Sequence, residues 1–332
     1  MATSGRSSAI KPGVPSPGMA PRLGGTLDER RGVEYRELRA ARLLNRLRDR
    51  PMPFGWTANP YRGCEMGCRY CYARYTHEFL GQNDARQFER RIFVKRTEPG
   101  ALVAELGRAR RSGLTVALGT ATDPYQPAEA RFGVTRRVLE AARRVPGLRL
   151  SITTKSALVE RDAALLAELA RRSEVSVNFS ITTLDAELAR RLEPRAPRPD
   201  LRLGALGALA RAGVPTALFV MPVLPHLTDD EAGLRALLAA AREAGARSAV
   251  WNVLFLRPGT REFFLAFLAA EFPGLVPVYR RLYAGSAYAA RAYVREAEAR
   301  VARLAEAAGF PARSRCVRAA DAPAERQLSL VW

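Results

Sequence analysis

Lysine, histidine and cysteine are all scarce in this 332-residue chain, and each scarcity excludes something. Four cysteines are too few to staple a chain of this length, so a secreted disulfide framework is excluded. The two histidines, His77 and His226, sit one to a loop and read as hydrogen-bonded structural residues before proton-transfer groups. No window approaches the roughly 18 uninterrupted apolar residues of a spanning helix. The first 25 residues, rich in Pro, Gly and Ser, carry no apolar signal core, so a cytoplasmic protein with no membrane partner is expected. All but three of the 53 basic residues are arginine, the lysines being Lys11, Lys95 and Lys155. A GC-rich coding sequence accounts for arginine over lysine, but not for 53 basic residues against 33 acidic ones. A net charge of +20 attracts polyanions through counterion release, and nucleic acid is the commonest such partner.

What is present describes a globular chain with a sizeable core, 48% hydrophobic and 26% charged. Residues 1–27 read as a flexible tail, 28–50 as an arginine-rich helical flank, 51–290 as the main domain and 291–332 as a C-terminal helix and tail. In the flank, Leu38, Leu43, Leu44 and Leu47 suggest an amphipathic helix over about Val33–Arg48 that packs on the core. Short apolar runs at Thr115–Gly119, Leu148–Thr153, Val175–Ile181, Thr216–Met221 and Ser248–Leu254 read as strands. Helical patterns lie between them at Thr135–Val145, Arg161–Arg172, Arg202–Ala212 and Asp229–Ala244. The repeat length is that of a βαβ unit, and no Gly-rich dinucleotide fingerprint follows the first strand. The expected fold is therefore α/β, a partial TIM-like barrel with helical N- and C-terminal extensions. Its site should gather at the C-terminal strand ends, which carry Thr120-Ala121-Thr122-Asp123, Thr153-Thr154-Lys155-Ser156, Ser180-Ile181-Thr182-Thr183 and Met221-Pro222-Val223.

Three of the four cysteines lie together: Cys64, Cys68 and Cys71, in Asn59-Pro60-Tyr61-Arg62-Gly63-Cys64-Glu65-Met66-Gly67-Cys68-Arg69-Tyr70-Cys71-Tyr72. Three thiolates on a Gly-punctuated loop suit an iron–sulfur cluster, zinc or Cu(I). A structural zinc wants a fourth ligand, for which His77 or Cys316 is available. A [4Fe–4S] cluster held by three cysteines instead leaves one iron open to a substrate or cofactor.

C-x3-C-x2-C with an aromatic before the third cysteine resembles the radical S-adenosylmethionine superfamily. The ordered set Asn59-Pro60-Tyr61-Arg62-Gly63-Cys64, Thr122-Asp123-Pro124-Tyr125-Gln126-Pro127, Thr154-Lys155-Ser156, Phe179-Ser180-Ile181 and Leu192-Glu193-Pro194 is similar to its spore photoproduct lyase-like branch, sometimes called DNA-repair-photolyase-like, in an actinobacterial subgroup. That resemblance spans about Pro51 to Tyr288 and implies a partial (β/α)6 barrel. It also implies a [4Fe–4S] cluster on Cys64, Cys68 and Cys71, and S-adenosylmethionine cleaved to methionine and a 5′-deoxyadenosyl radical that abstracts hydrogen. Tyr70 would pack against cluster and adenine, Thr122 and Asp123 would meet the cofactor's ammonium, and Lys155, Ser180 and Arg195 its carboxylate. Met221 and Val223 would flank adenine, and Tyr72 would be the catalytic residue, matching a tyrosine of the lyase's radical relay. An electron donor such as flavodoxin or ferredoxin is implied as partner.

The chain departs from that pattern at one point. Thr120 aligns with the cysteine by which the lyase returns a hydrogen atom, and no cysteine lies between Cys71 and Cys316. The expected function is therefore a radical S-adenosylmethionine enzyme that removes hydrogen from a substrate, with nucleic acid ahead of a peptide or small molecule. A nucleic-acid-binding protein with a structural or redox-sensing cluster is the alternative. The basic stripe Arg136, Arg137, Arg143 and Arg144 reads as solvated helix surface before a phosphate contact.

Overall fold

The protein is described by a computed structural model at residues 22–30, 32–47, 52–81 and 84–311. Among these residues eleven strands form two sheets. In chain order they are β1 (Arg22–Arg30), β2 (Val33–Arg39), β3 (Leu44–Arg46), β4 (Trp56–Ala58), β5 (Tyr61–Arg62), β6 (Arg91–Arg96), β7 (Val116–Leu118), β8 (Arg149–Thr154), β9 (Glu174–Ser180), β10 (Thr216–Val223) and β11 (Ser248–Val253). The larger sheet runs β11-β10-β9-β8-β7-β4-β3. Its six strands from β4 to β11 are parallel, and β3 adds antiparallel to β4. This is the α/β partial barrel, and each expected strand lies within a residue or two of its place.

Period-2 alternation gives that sheet two unlike faces. Leu118, Ile152, Val177, Phe179, Leu218 and Val220 face outward into one apolar core, against Leu106, Leu139, Leu166, Leu206 and Leu237 of the crossover helices. Each such side chain, fully buried, contributes about 1.5–3 kcal/mol. The residues between them face inward and, Phe219 apart, are small or polar. Register sets Thr57 beside Ala117, Ser151 and Ser176, and Thr153 beside Asn178, Ala217 and Ser248. The C-terminal helix Arg291–Ala307 packs its Val301 and Leu304 into the same core.

The N-terminal flank is not helical. Residues expected to form an amphipathic helix over Val33–Arg48 make β2 and β3, and Arg22–Leu27, expected in the tail, begin β1. Val33 and Tyr35 are buried at spacing two, against Ile92 and Val94 of β6, which pairs parallel with β2. A strand 50-odd residues away supplies the hydrogen bonds, so tertiary pairing overrides the leucine spacing. The order β1-β2-β6-β5 completes the second sheet. Residues 1–21 of the expected tail, and 312–332 of the C-terminal one with Cys316, lie outside the described residues. No helix among the described residues is long and apolar enough to cross a membrane.

Candidate cluster and cofactor site

The cysteine loop follows β5 at the C-terminal end of the parallel strands. Gly63 opens it with φ +85°, and a Cβ there would stand 2.8 Å from the carbonyl oxygens of Phe88 and Arg91, so only glycine fits. The backbone NH of Cys64 then donates to the Phe88 carbonyl at 2.9 Å, which docks the loop on the short helix Gln87–Arg90 that leads into β6. Glu65 reinforces that dock, accepting from the Tyr35 hydroxyl at 2.9 Å and from the NH of Ala128 at 2.8 Å. The sheet that sequence patterning misses is therefore the splint of the loop.

Cys64 and Cys68 are buried and Cys71 is half-buried. Burial pushes all three thiols up, and for Cys64 the neighbouring Asp123, Cys68 and Cys71 push the same way. Three thiols that raise one another's cost of ionisation become stable thiolates only with a cation among them. The donor set thus fits an iron–sulfur group, while among the described residues no three His, Cys, Asp or Glu side chains close tightly enough to enclose a single ion.

Arg74 locks the loop from beneath. It is 2% exposed and donates to the Cys68 carbonyl at 2.8 Å, pairs with Glu89 at 2.6 Å, and lies 4.0 Å over the Phe263 ring. His77 is fully buried, its Nε2 2.9 Å from the Arg91 carbonyl and its ring against Phe88 and Phe93. It serves as core, not as a fourth ligand.

The turn after β7 faces the loop. Thr122 donates to the Gly63 carbonyl at 2.6 Å, and Gln126 donates both to Thr122 at 2.9 Å and to Gly63 at 3.1 Å. Gln126 also accepts from the NH of Glu65 at 2.9 Å, bracing both sides of Cys64. Asp123 is heavily engaged. Its Oδ1 accepts from the Tyr125 NH and the Thr154 hydroxyl, and its Oδ2 from the Lys155 NH at 2.7 Å. Burial still raises its carboxyl against those three bonds. Asp123 therefore ties β7 to β8, and its availability to an ammonium is limited to remaining lone pairs.

Tyr70, Lys155 and Ser180 converge on two residues to which the sequence pattern assigns no role. The Tyr70 hydroxyl donates to Glu193 Oε1, and Lys155 Nζ lies 3.4 Å from that same oxygen. Arg202 pairs with Glu193 Oε2 at 2.5 Å and donates to the Ser180 carbonyl at 3.1 Å. Burial alone would raise the Glu193 carboxyl, but Arg202 and Lys155 outweigh it and hold it down at about 2. Leu192-Glu193-Pro194 is visible as a motif; Arg202 sits in a helix and gives no signal.

The remaining candidates are more dispersed. Arg195 is exposed, its NH donating to the Met66 carbonyl at 3.3 Å. Val223 is buried in the main core, whereas Met221 is half-buried at an irregularity in the β10–β11 register. The Tyr72 hydroxyl donates to the Thr120 carbonyl, and its ring lies 5.4 Å from Phe255. Asn59 donates to the Thr120 hydroxyl at 3.1 Å. On the basic stripe Arg136 pairs with Asp162 and Glu140, Arg137 donates to the Phe132 carbonyl, and Arg143 lies 3.7 Å from Glu168. Three of its four guanidinia are bound within the fold.

A cysteine loop at the open end of a parallel (β/α)6 wall is the architecture of one superfamily, and a family model agrees. The model for the Radical SAM superfamily matches residues 58–259, and the chain belongs to that family. It is an enzyme of that class, which works with S-adenosylmethionine and an iron–sulfur cluster. An uncharacterized protein of Mycobacterium tuberculosis is 40% identical over 274 residues, covering 82% of this chain and 80% of its own. Among solved structures, spore photoproduct lyase complexed with dinucleoside spore photoproduct superposes with a TM-score of 0.63 at 18% identity, over 83% of this chain and 80% of the lyase. A mutant of that lyase with bound AdoMet and the same dinucleoside gives 0.62 at 18%, over 80% and 77%. The fold is spore photoproduct lyase-like.

Proposed function

We propose that Cys64, Cys68 and Cys71 hold a [4Fe–4S] cluster with one iron left for S-adenosylmethionine, and that the enzyme removes a hydrogen atom from a nucleic acid bound at the barrel mouth. The observation that carries this reading is the braced three-cysteine loop with the Lys155 ammonium beside it. Cluster and cofactor, when bound, supply an electron and a carbon-centred radical able to abstract hydrogen. Lys155 offers a cation to the cofactor's carboxylate, and Tyr70 an aromatic wall. Tyr72 stands half-buried next to Cys71, where it would relay hydrogen. Thr120 would be a poor hydrogen donor in the lyase's manner, since an alcohol O–H is far stronger than a thiol S–H. The product radical would then end by a route other than thiol return. A net charge of +20, with the dinucleoside ligand of the structural neighbours, supports a nucleic-acid substrate. A flavodoxin or ferredoxin in the cytoplasm would provide the electron.

Anaerobic reconstitution with iron and sulfide, then dithionite and S-adenosylmethionine, tests the reading through 5′-deoxyadenosine. Slow release that vanishes in Cys64→Ala, Cys68→Ala and Cys71→Ala is expected, and oligonucleotide should accelerate it at low salt more than at high salt. A protein that binds zinc and never turns brown would overturn the cluster. Release stimulated by peptide extracts but indifferent to oligonucleotide would overturn the substrate class.

A further inference from the structure

The charge buried deepest at the mouth is the carboxylate of Glu193, with a side chain 0% exposed. It is shared three ways: Oε1 takes the Tyr70 hydroxyl and faces Lys155 Nζ at 3.4 Å, while Oε2 faces Arg202 at 2.5 Å. Arg202 is 1% exposed and is spent entirely inside the fold, its other nitrogens donating to the carbonyls of Pro197 at 2.7 Å and Ser180 at 3.1 Å. Lys155 differs. Its side chain keeps 14% of its surface open and its ammonium lies 5.7 Å above the Tyr70 ring. Of the two cations on Glu193, Arg202 is enclosed and Lys155 is the one that opens outward.

Stability alone gives no reason for this arrangement. A buried ion pair replaced by well-packed apolar residues is often neutral or stabilising, because burial of the charges costs about as much as their attraction returns. What the pair does uniquely is touch Tyr70, Lys155 and Ser180 together, from three separate segments of the chain.

We propose that Glu193 and Arg202 are a positioning pair: through them the Lys155 ammonium and the Tyr70 hydroxyl are fixed at the rim of the cysteine loop, so that Lys155 meets the carboxylate of S-adenosylmethionine in one geometry. Arg202 cancels the charge of Glu193 and lets the carboxylate aim Lys155 without neutralising it. This rests on the cluster reading, and iron content separates failure of the one from failure of the other.

The test measures equilibrium binding of S-adenosylmethionine and S-adenosylhomocysteine to the reconstituted protein, with the electron paramagnetic resonance spectrum of the reduced cluster recorded with and without S-adenosylmethionine. Glu193→Gln/Arg202→Met removes both charges together and avoids stranding a buried cation. It should melt close to the wild-type temperature, keep its iron and sulfide, and bind both ligands about tenfold more weakly, with a smaller spectral change on addition of S-adenosylmethionine. Lys155→Met should give a similar loss, and the triple variant should lose little more than either, since residues acting through one another are non-additive. Wild-type affinity in the double variant, or losses that multiply in the triple, overturns the proposal. If the double variant does not fold, Arg202→Lys serves, because one ammonium nitrogen on a shorter reach replaces three guanidinium nitrogens that each meet a separate partner. About threefold weaker binding is then expected, and unchanged binding overturns the proposal equally. A wild-type chain that takes up no iron brings down the cluster reading and this one with it.

Discussion

On the β4–β9 side of the mouth, Asn59, Glu65, Thr122, Asp123, Gln126 and Glu193 all meet hydrogen-bond or ion-pair partners at 2.5–3.4 Å. On the β10–β11 side the ladder slips between Val220 and Val223, Met221 is half-buried, and Asn252 Oδ1 is buried without a partner among the described residues. There aromatic contacts stand beside the hydrogen bonds: Tyr72 to Phe255 at 5.4 Å, Phe255 to Tyr288 at 5.9 Å, and Arg257 4.0 Å over the Tyr75 ring, with the Tyr283 hydroxyl donating to the Leu254 carbonyl at 2.7 Å. A closed network holds one group in one geometry, which suits a cluster and a cofactor that never vary. Aromatic surface and an acceptor without a donor suit a substrate that arrives and leaves. The comparison teaches that stability and substrate recognition should respond to substitutions on opposite sides of the mouth.

The sharpest break of that contrast lies beneath the loop. Arg74→Met keeps the stem over Phe263 but strands Glu89 and the Cys68 carbonyl. Removing one partner of a buried pair costs about 3–5 kcal/mol. Denaturant unfolding should show that loss, and the reconstituted variant should hold less iron. A loss under about 1 kcal/mol would mean that the β4–β9 side is less closed than its hydrogen bonds imply.

His77 offers a second break, through pH. Burial holds its imidazole down at about 4 against an ordinary 6.5, and its Nδ1 has no hydrogen-bond partner among the described residues to welcome a second proton. The unfolded chain therefore takes up this proton first. The stabilising contribution is whole above pH 6.5 and drains by about 3 kcal/mol as pH falls toward 4. His77→Gln can still donate to the Arg91 carbonyl but cannot titrate, so stability curves measured from pH 7 to 4 should lose that decline. An equal decline in both proteins would assign it to other groups.

Thr122→Val is a smaller probe of the same network. It is close to isosteric, yet leaves the Gly63 carbonyl and the Gln126 amide short of a bond. About 1–3 kcal/mol is expected from unfolding, with faster loss of cluster to a chelator.

Much of this architecture is legible in the order of the amino acids. Strands from β7 onward announce themselves because their outward apolar residues recur at spacing two in short segments separated by helical patterns. The cysteines are legible because soft metal chemistry tolerates so few spacings. The N-terminal sheet is not, because β2 pairs with β6 only after β3, β4, β5 and the cysteine loop have intervened, and local spacing of Leu38, Leu43, Leu44 and Leu47 also fits a helix. The family resemblance offers Asp123 to a cofactor, while its bonds to Thr154 and Lys155 arise only when β8 comes alongside β7. Gln126 lies inside the Thr122–Pro127 motif, but its two-sided brace of Cys64 exists only in three dimensions.

Asn252 gives the least expected effect on stability and the cleanest reading of the open side. Its neighbours Trp251 and Val253 are buried in apolar clusters, so alternation turns Asn252 toward the barrel interior, where its Oδ1 is buried and meets no donor among the described residues. A lone buried acceptor costs folding energy, and removing it with Asn252→Ala returns that cost. The net change in unfolding free energy should fall within about 0.5 kcal/mol of zero. Iron content and slow 5′-deoxyadenosine release without substrate should match wild type, because the cysteine loop is braced from the other side. Oligonucleotide-stimulated release should fall, since the acceptor kept in reserve is gone. If Asn252→Ala instead costs more than about 1 kcal/mol, the β10–β11 side is a stabilising wall like its opposite, and substrate must be recognised elsewhere.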